Sequence, residues 1–343
     1  MNFITRTLLP AFLVSISSGY SIKAMNQEIL TCKNMNTQEV IHGIKGLPKE
    51  LIFHIVFFLF QPSMFDFQLY KIVPLEYSPS SLTFTPDGEH FLASYFSSET
   101  LQLWNIQTEK PVKEFLRASR DMSPMAFSLD GKTCLNSDDH TASLWDIQTR
   151  KLLTILKGHT KDITSVALSP TGEKCLTGSY DKTACVWDSK TGELLLSFKG
   201  HTDCISSVAF SPNGELCLTG SLDKTAQLWS SSTGDVVAAL KDHKRGISSV
   251  AFSSNGELCL TGSYDALACL WSVKTGKLIK RFRGHKGSVF SVAFSPQGEM
   301  CLTGSDDKTA RLWKCVYGLK YLTSKQKERF FKHYLPLFFF LQE

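Results

Sequence analysis

The chain has 343 residues, of which 43% are hydrophobic and 20% charged, with a formal net charge of +5. That length and balance suit a large packed core and exclude a wholly disordered chain. The positive charge is mild and no long Lys/Arg run concentrates it, which argues against a nucleic-acid groove and its dense basic stripe.

Residues 1–24 come first. Arg6, an apolar run from Leu8 to Ile16 and the small residues Ser17, Ser18 and Gly19 are the parts of a secretory signal, with cleavage expected at Ala24. The run is too short to cross a bilayer by itself. On this reading the protein is secreted or extracytoplasmic; the alternative is a cytoplasmic protein with a loosely packed amino-terminal arm.

Residues 25–65 form a second segment. Leu47, Leu51, Ile55 and Leu59 fall on one helical face and Pro48 suits a first turn, so the spacing predicts a short helix. The series Leu47, Pro48, Glu50, Leu51, Ile55, Phe58 and Leu59 resembles the opening helix of an F-box. That resemblance implies docking through Leu47 to Leu59 on the adaptor of a cullin-type ubiquitin ligase. The chain would then be a substrate-receptor subunit, or a secreted mimic of one. Gln61, Pro62 and Ser63 break the pattern early, and an amphipathic helix packed on the following domain is the plainer alternative.

Residues 66–322 repeat. All six tryptophans are in register, at Trp104, Trp145, Trp187, Trp229, Trp271 and Trp313, at intervals of 41, 42, 42, 42 and 42. One unit, SVAFSPNGELCLTGSLDKTAQLW, reads as strands at Ser207 to Phe210, Leu216 to Leu218 and Thr225 to Trp229, with a fourth at Asp235 to Leu240. Turns fall at Ser211 to Gly214, Gly220 to Lys224 and Ser232 to Gly234, where Pro and Gly set the backbone. Four short strands every 42 residues predict an all-β fold, a β-propeller. A lone four-stranded sheet cannot bury both faces, and neighbours in a ring cover them. Cys134, Cys175, Cys217, Cys259 and Cys301 hold one equivalent position, which reads as a small buried side chain.

The units carry Gly158–His159, Gly200–His201 and Gly284–His285, with Asp242–His243 as a variant, and Trp–Asp at Trp145–Asp146 and Trp187–Asp188. In these motifs the chain resembles the WD-repeat (G-protein beta-like) β-propeller family. The resemblance implies a hydrogen-bonded relay within each blade. Its expected members are His159, Ser179, Asp181 and Trp187; His201, Ser221, Asp223 and Trp229; His243, Ser263, Asp265 and Trp271; and His285, Ser305, Asp307 and Trp313. Thr177 is an alternative to Ser179, because residues two apart on a strand share a face. The first two units lack the His, and Ser98 replaces the Asp of the first, so these blades are expected to be looser. Six tryptophans predict six blades, with seven as the alternative. Either Phe67 to Ile72 or Tyr317 to Leu322 supplies the closing strand; a further alternative is a ring left open for a partner.

A His/Ser/Asp set that occurs once per blade reads as structure and not as a catalytic triad. The sequence has no phosphate-cradling Gly motif, no H-E-x-x-H and no C-x-x-C. The chain therefore reads as non-catalytic, with no cofactor or metal. Its expected function is a protein–protein interaction scaffold or peptide-binding propeller. The family resemblance places the docking surface on the narrow face. Positions that vary from blade to blade there are Asp138, Tyr180, Leu222, Tyr264 and Asp306 in the turns, and Lys161, Asp162, Asp203, Arg245 and Lys286 in the loops leading into each blade. Residues 323–343 form an apolar tail that includes Phe330, Phe331 and Phe338 to Phe340. A short helix packed on the amino-terminal one is expected there, with a partner or a membrane surface as the alternatives.

Overall fold

The computed structural model describes residues 65–96, 100–116 and 124–317. The signal-like segment, the F-box-like helix of Leu47 to Leu59 and the apolar tail, with the helices expected in them, lie outside the described residues. The chain divides into two compact units, Leu69–Lys314 and a second formed by Met1–Gln68 with Cys315–Glu343.

The described residues contain no helix and form six four-stranded antiparallel sheets. Sheet 1 holds β2 (Pro79–Phe84), β3 (His90–Tyr95), β4 (Thr100–Asn105) and β5 (Lys110–Leu116). Sheet 2 holds β6 (Met125–Phe127), β7 (Thr133–Asp138), β8 (Thr141–Asp146) and β9 (Leu152–Lys157). Sheet 3 holds β10 (Ile163–Leu168), β11 (Lys174–Ser179), β12 (Thr183–Asp188) and β13 (Leu194–Lys199). Sheet 4 holds β14 (Ile205–Phe210), β15 (Leu216–Ser221), β16 (Thr225–Ser230) and β17 (Val236–Lys241). Sheet 5 holds β18 (Ile247–Phe252), β19 (Leu258–Ser263), β20 (Ala268–Ser272) and β21 (Leu278–Phe282). Sheet 6 is made of β22 (Val289–Phe294), β23 (Met300–Ser305), β24 (Thr309–Tyr317) and, as its fourth strand, β1 (Phe65–Pro74).

The expected strands of the 42-residue unit are all present, and the second one is longer than read. Strand β15 runs on to Ser221, because Gly220 pairs with Ala226 and stays in the ladder instead of opening the turn. Of the two candidates for the closing strand, the amino-terminal one fills it: Phe67 to Ile72 lie in β1, beside β24. Tyr317 ends β24 itself, so the carboxy-terminal alternative is corrected. A strand already paired as the third of the sheet cannot also serve as its fourth.

Sheets stack because their faces are complementary. In sheet 4, Ile205 and Val208 point at Gly178 of sheet 3; a Cβ on that glycine would lie 2.5 and 2.8 Å from their methyl carbons. Gly220, Gly262 and Gly304 receive sheets 5, 6 and 1 in the same way. The indole of Trp229 stacks on Phe198 of the preceding sheet, with ring centroids 4.9 Å apart. A hydroxyl adds a stitch at each step. Ser165, Ser207, Ser249 and Ser291 accept from the backbone N–H of Val208, Val250, Val292 and Leu82 at 2.9–3.2 Å. Cys175, Cys217, Cys259 and Cys301 are fully buried in these interfaces. Burial pushes the Cys175 and Cys217 thiols up to about 12, which leaves them as inert packing groups.

Candidate functional site

One end of each of sheets 3 to 6 is organised by the same four side chains. In sheet 4 the Trp229 indole N–H donates to Thr219 Oγ1 at 2.9 Å, and Thr219 Oγ1 meets His201 Nε2 at 2.8 Å. His201 Nδ1 meets Asp223 Oδ2 at 2.8 Å. The same chain runs Trp187–Thr177–His159–Asp181, Trp271–Thr261–His243–Asp265 and Trp313–Thr303–His285–Asp307. A carboxylate only accepts, so Nδ1 carries the imidazole proton and the Thr hydroxyl donates to Nε2. Each buried donor of the relay then meets an acceptor.

The bridging hydroxyl corrects the sequence reading. Ser179, Ser221, Ser263 and Ser305 were expected in the relay, and the threonines two residues earlier hold that place. The serines sit at the strand ends, where they hold the lead-in loop. Ser221 Oγ donates to Asp203 O at 3.0 Å and accepts from Asp223 N at 3.1 Å. Ser179 does the same with Lys161 O and Asp181 N. Both positions point to one face, but only the inner one lies between indole and imidazole.

The Asp members fix the loop as well as the His. Asp223 accepts from Thr225 Oγ1 at 2.6 Å and from the N–H groups of Thr202 and Thr225. Burial pushes its carboxyl up, but the bonds from His201, Thr225 and Thr202 outweigh this and hold it below the usual carboxylate range. Asp181, Asp265 and Asp307 are lowered on the same balance. His285 is lowered too, because burial disfavours its charged form more than Asp307 favours it. Folded-state values below the unfolded ones stabilise the protein at high pH, and that stability is lost as the pH falls. The His285 loss begins under about pH 6.5, and the four Asp losses follow under about pH 4. The thermal midpoint is therefore expected to sag from about pH 7 to 4 and to drop steeply below about pH 4. A scan at constant ionic strength that stays flat to about pH 3 contradicts the assignment.

Sheets 1 and 2 replace the relay with shorter links, as their missing histidines imply. Trp104 Nε1 donates to Tyr95 Oη at 3.2 Å, and Trp145 Nε1 to Asn136 Oδ1 at 2.9 Å. Trp145 is 38% exposed, whereas the tryptophans of sheets 3 to 6 are 4% exposed or less.

The variable residues surround this framework. Tyr180 and Tyr264 follow β11 and β19 and are exposed; Leu222 and Asp306 follow β15 and β23; Asp138 ends β7. Their turns are tied to the lead-in loops: Tyr180 N donates to Asp162 O, Leu222 N to Cys204 O, Tyr264 N to Gly246 O and Asp306 N to Ser288 O. Lys161, Asp162, Arg245 and Lys286 are exposed on those loops, and Asp203 is half-buried. Nine of the ten residues thus lie at the relay end of sheets 3 to 6, and Asp138 lies at the matching end of sheet 2.

Two aromatic residues were missed. Phe290 stands in β22 where Thr164, Ser206 and Ser248 occupy the equivalent positions; Thr164 and Ser206 donate to carbonyls of the next sheet. Phe290 cannot make that bond. Its ring instead meets Tyr264 at 5.9 Å and Phe96 at 4.9 Å, both edge-on. Phe96 is 55% exposed and follows β3, as Tyr180 follows β11. The signal was present in the repeat, since Phe290 is a lone break in an otherwise hydroxyl-bearing column.

The family model described as "WD domain, G-beta repeat" matches residues 150–188, 192–230, 234–272 and 276–314. No curated protein matches the chain. The matched stretches carry the four complete relays, and repeats of this kind form scaffolds that bind other proteins. Residues 150–314 of the chain are therefore built of four WD repeats of the G-beta type.

Proposed function

We propose that the six sheets are the blades of a propeller with six blades of its own, and that its relay-bearing narrow face captures a peptide or loop of a partner protein without chemistry. The observation that carries this reading is the aromatic row Tyr264, Phe290 and Phe96. It links sheets 5, 6 and 1, yet leaves Tyr264 37% exposed and Phe96 more than half exposed. Rigid aromatic groups that are pre-packed against one another lose little entropy when an apolar side chain lands on them. Arg245 and Lys286 on the adjoining lead-in loops supply cations, and Asp306 an anion, for the flanking polar groups of the same segment. The relay is the mount. Its buried bonds hold the lead-in loops still, so the variable side chains stand on a fixed frame.

The test is a double substitution, Arg245→Glu with Tyr264→Ala, in the full chain. Affinity for a partner recovered from the native cells is expected to fall about 30-fold or more, the size of a hot-spot loss near 2 kcal/mol. Far-UV circular dichroism should stay at the wild-type spectrum, and stability should fall by no more than the roughly 1 kcal/mol of the edge contact between Tyr264 and Phe290, because Arg245 is exposed and Tyr264 is part-exposed. Unchanged capture would remove this face from the reading.

A further inference from the structure

Five of the six junctions between neighbouring sheets are packed through a first strand, four of them with the glycine seat and the serine stitch, and the sixth is not. Sheets 2, 3, 4, 5, 6 and 1 pack in that succession through their first strands, with β2 returning against β22 and β23. The stitch from Leu82 N–H to Ser291 Oγ and the seat of Leu82 against Gly304 join sheet 6 to sheet 1. The junction left over lies between sheet 1 and sheet 2, and both of its walls are open.

On the sheet 2 wall, Met125 is 61% exposed and Phe127 63%. Their counterparts Val166, Val208, Val250 and Val292 at the Met125 position are 5–8% exposed. Trp145 belongs to the same wall, which accounts for its exposure. On the sheet 1 wall, Ser81 and Thr83 are exposed and Leu92 and Leu103 half-buried. At those two leucine positions, Leu176, Leu218, Leu260 and Leu302, and Val186, Leu228, Leu270 and Leu312, are fully buried. Ser81 stands where Ser165, Ser207, Ser249 and Ser291 each accept a bond from the following sheet.

We propose that this junction is a slot for one further four-stranded sheet of the same repeat type, supplied by a partner polypeptide. At the four junctions from sheet 3 round to sheet 1 such walls are covered by a repeat sheet, through Val, Ile or Leu side chains and a serine stitch, and at the junction of sheets 2 and 3 Ile163 and Val166 cover the wall without the stitch. An occupant that satisfies both walls at once therefore has two apolar faces: one offering a valine and an N–H toward Leu92 and Ser81, the other a small residue toward Met125. The slot is separate from the narrow face, so Arg245→Glu leaves its readouts untouched and the two readings fail independently.

The full chain with a second copy of residues 200–241 inserted between Leu116 and Met125 tests the slot. The thermal midpoint is expected to rise by about 5 °C or more, with severalfold less binding of an apolar dye. A lower midpoint overturns the proposal, because it means that sheets 1 and 2 close on each other. Phe127→Asp gives the second arm. It should leave the native chain's midpoint unchanged and lower that of the insertion variant; a native chain destabilised as much as by Val208→Asp also overturns it. A labelled synthetic peptide of residues 200–241 is the probe in trans. Saturable binding to the full chain that Phe127→Asp abolishes is expected, and binding indifferent to that change counts against it. Sedimentation that shows a dimer dissolved by Phe127→Asp assigns the slot to a second copy of the chain instead.

Discussion

Thr219→Val is expected to lower the stability of the protein by about 2–5 kcal/mol, because it strands two buried groups at about 1–3 kcal/mol each. Those groups are the Trp229 indole N–H and His201 Nε2, which both rely on Thr219 Oγ1 at 2.9 and 2.8 Å. Valine keeps the shape and removes the oxygen, so packing is not the cause. Ser221→Ala in the same strand is expected to cost less, about 1 kcal/mol, since its partners Asp203 O and Asp223 N belong to half-buried residues and neither is a fully buried side chain. Urea titration of the two variants beside the wild type checks the order. Equal losses, or a larger loss for Ser221→Ala, would restore the serine to the relay and refute the assignment made from the distances.

Gly220→Ala is the second large effect. The new Cβ would stand 2.7 Å from a methyl of Ile247 and 2.8 Å from a methyl of Val250, closer than real Cβ contacts allow. Forcing sheets 4 and 5 apart is expected to cost about 1–3 kcal/mol. The strain is local, so Val250→Ala should relieve part of it. The double variant is then expected to lose at least about 0.5 kcal/mol less than the sum of the two single changes. Simple additivity in a denaturation series would show that the interface does not depend on this glycine. The equivalent position in sheet 1 is Ser94, which already carries a Cβ. So does Ser137 in sheet 2, which is 3% exposed, so a Cβ at this position does not by itself mark an open wall.

The protein's sequence by itself determined the repeating strands and turns. A 42-residue period in the tryptophans, turn residues at fixed offsets and alternation within each unit specify four short strands per repeat, because backbone preference and side-chain parity are local properties. The identity of three relay members, His, Asp and Trp, was legible through the resemblance to the WD-repeat family, which the recurring motifs carry. What the sequence left open, the tertiary structure decided. Thr219 and Ser221 share a face and differ only in how far they stand from an indole and an imidazole brought in by other segments, so parity could not separate them. Phe67 to Ile72 and Tyr317 to Leu322 both read as an outer strand, and only the pairing order of sheet 6 shows that β1 lies beside β24. Phe96, Tyr264 and Phe290 are far apart in the chain and become a single surface because sheets 5, 6 and 1 are neighbours. The open walls of sheets 1 and 2 have the same origin: burial depends on what stands opposite, and a strand's own residues do not encode the absence of a neighbour.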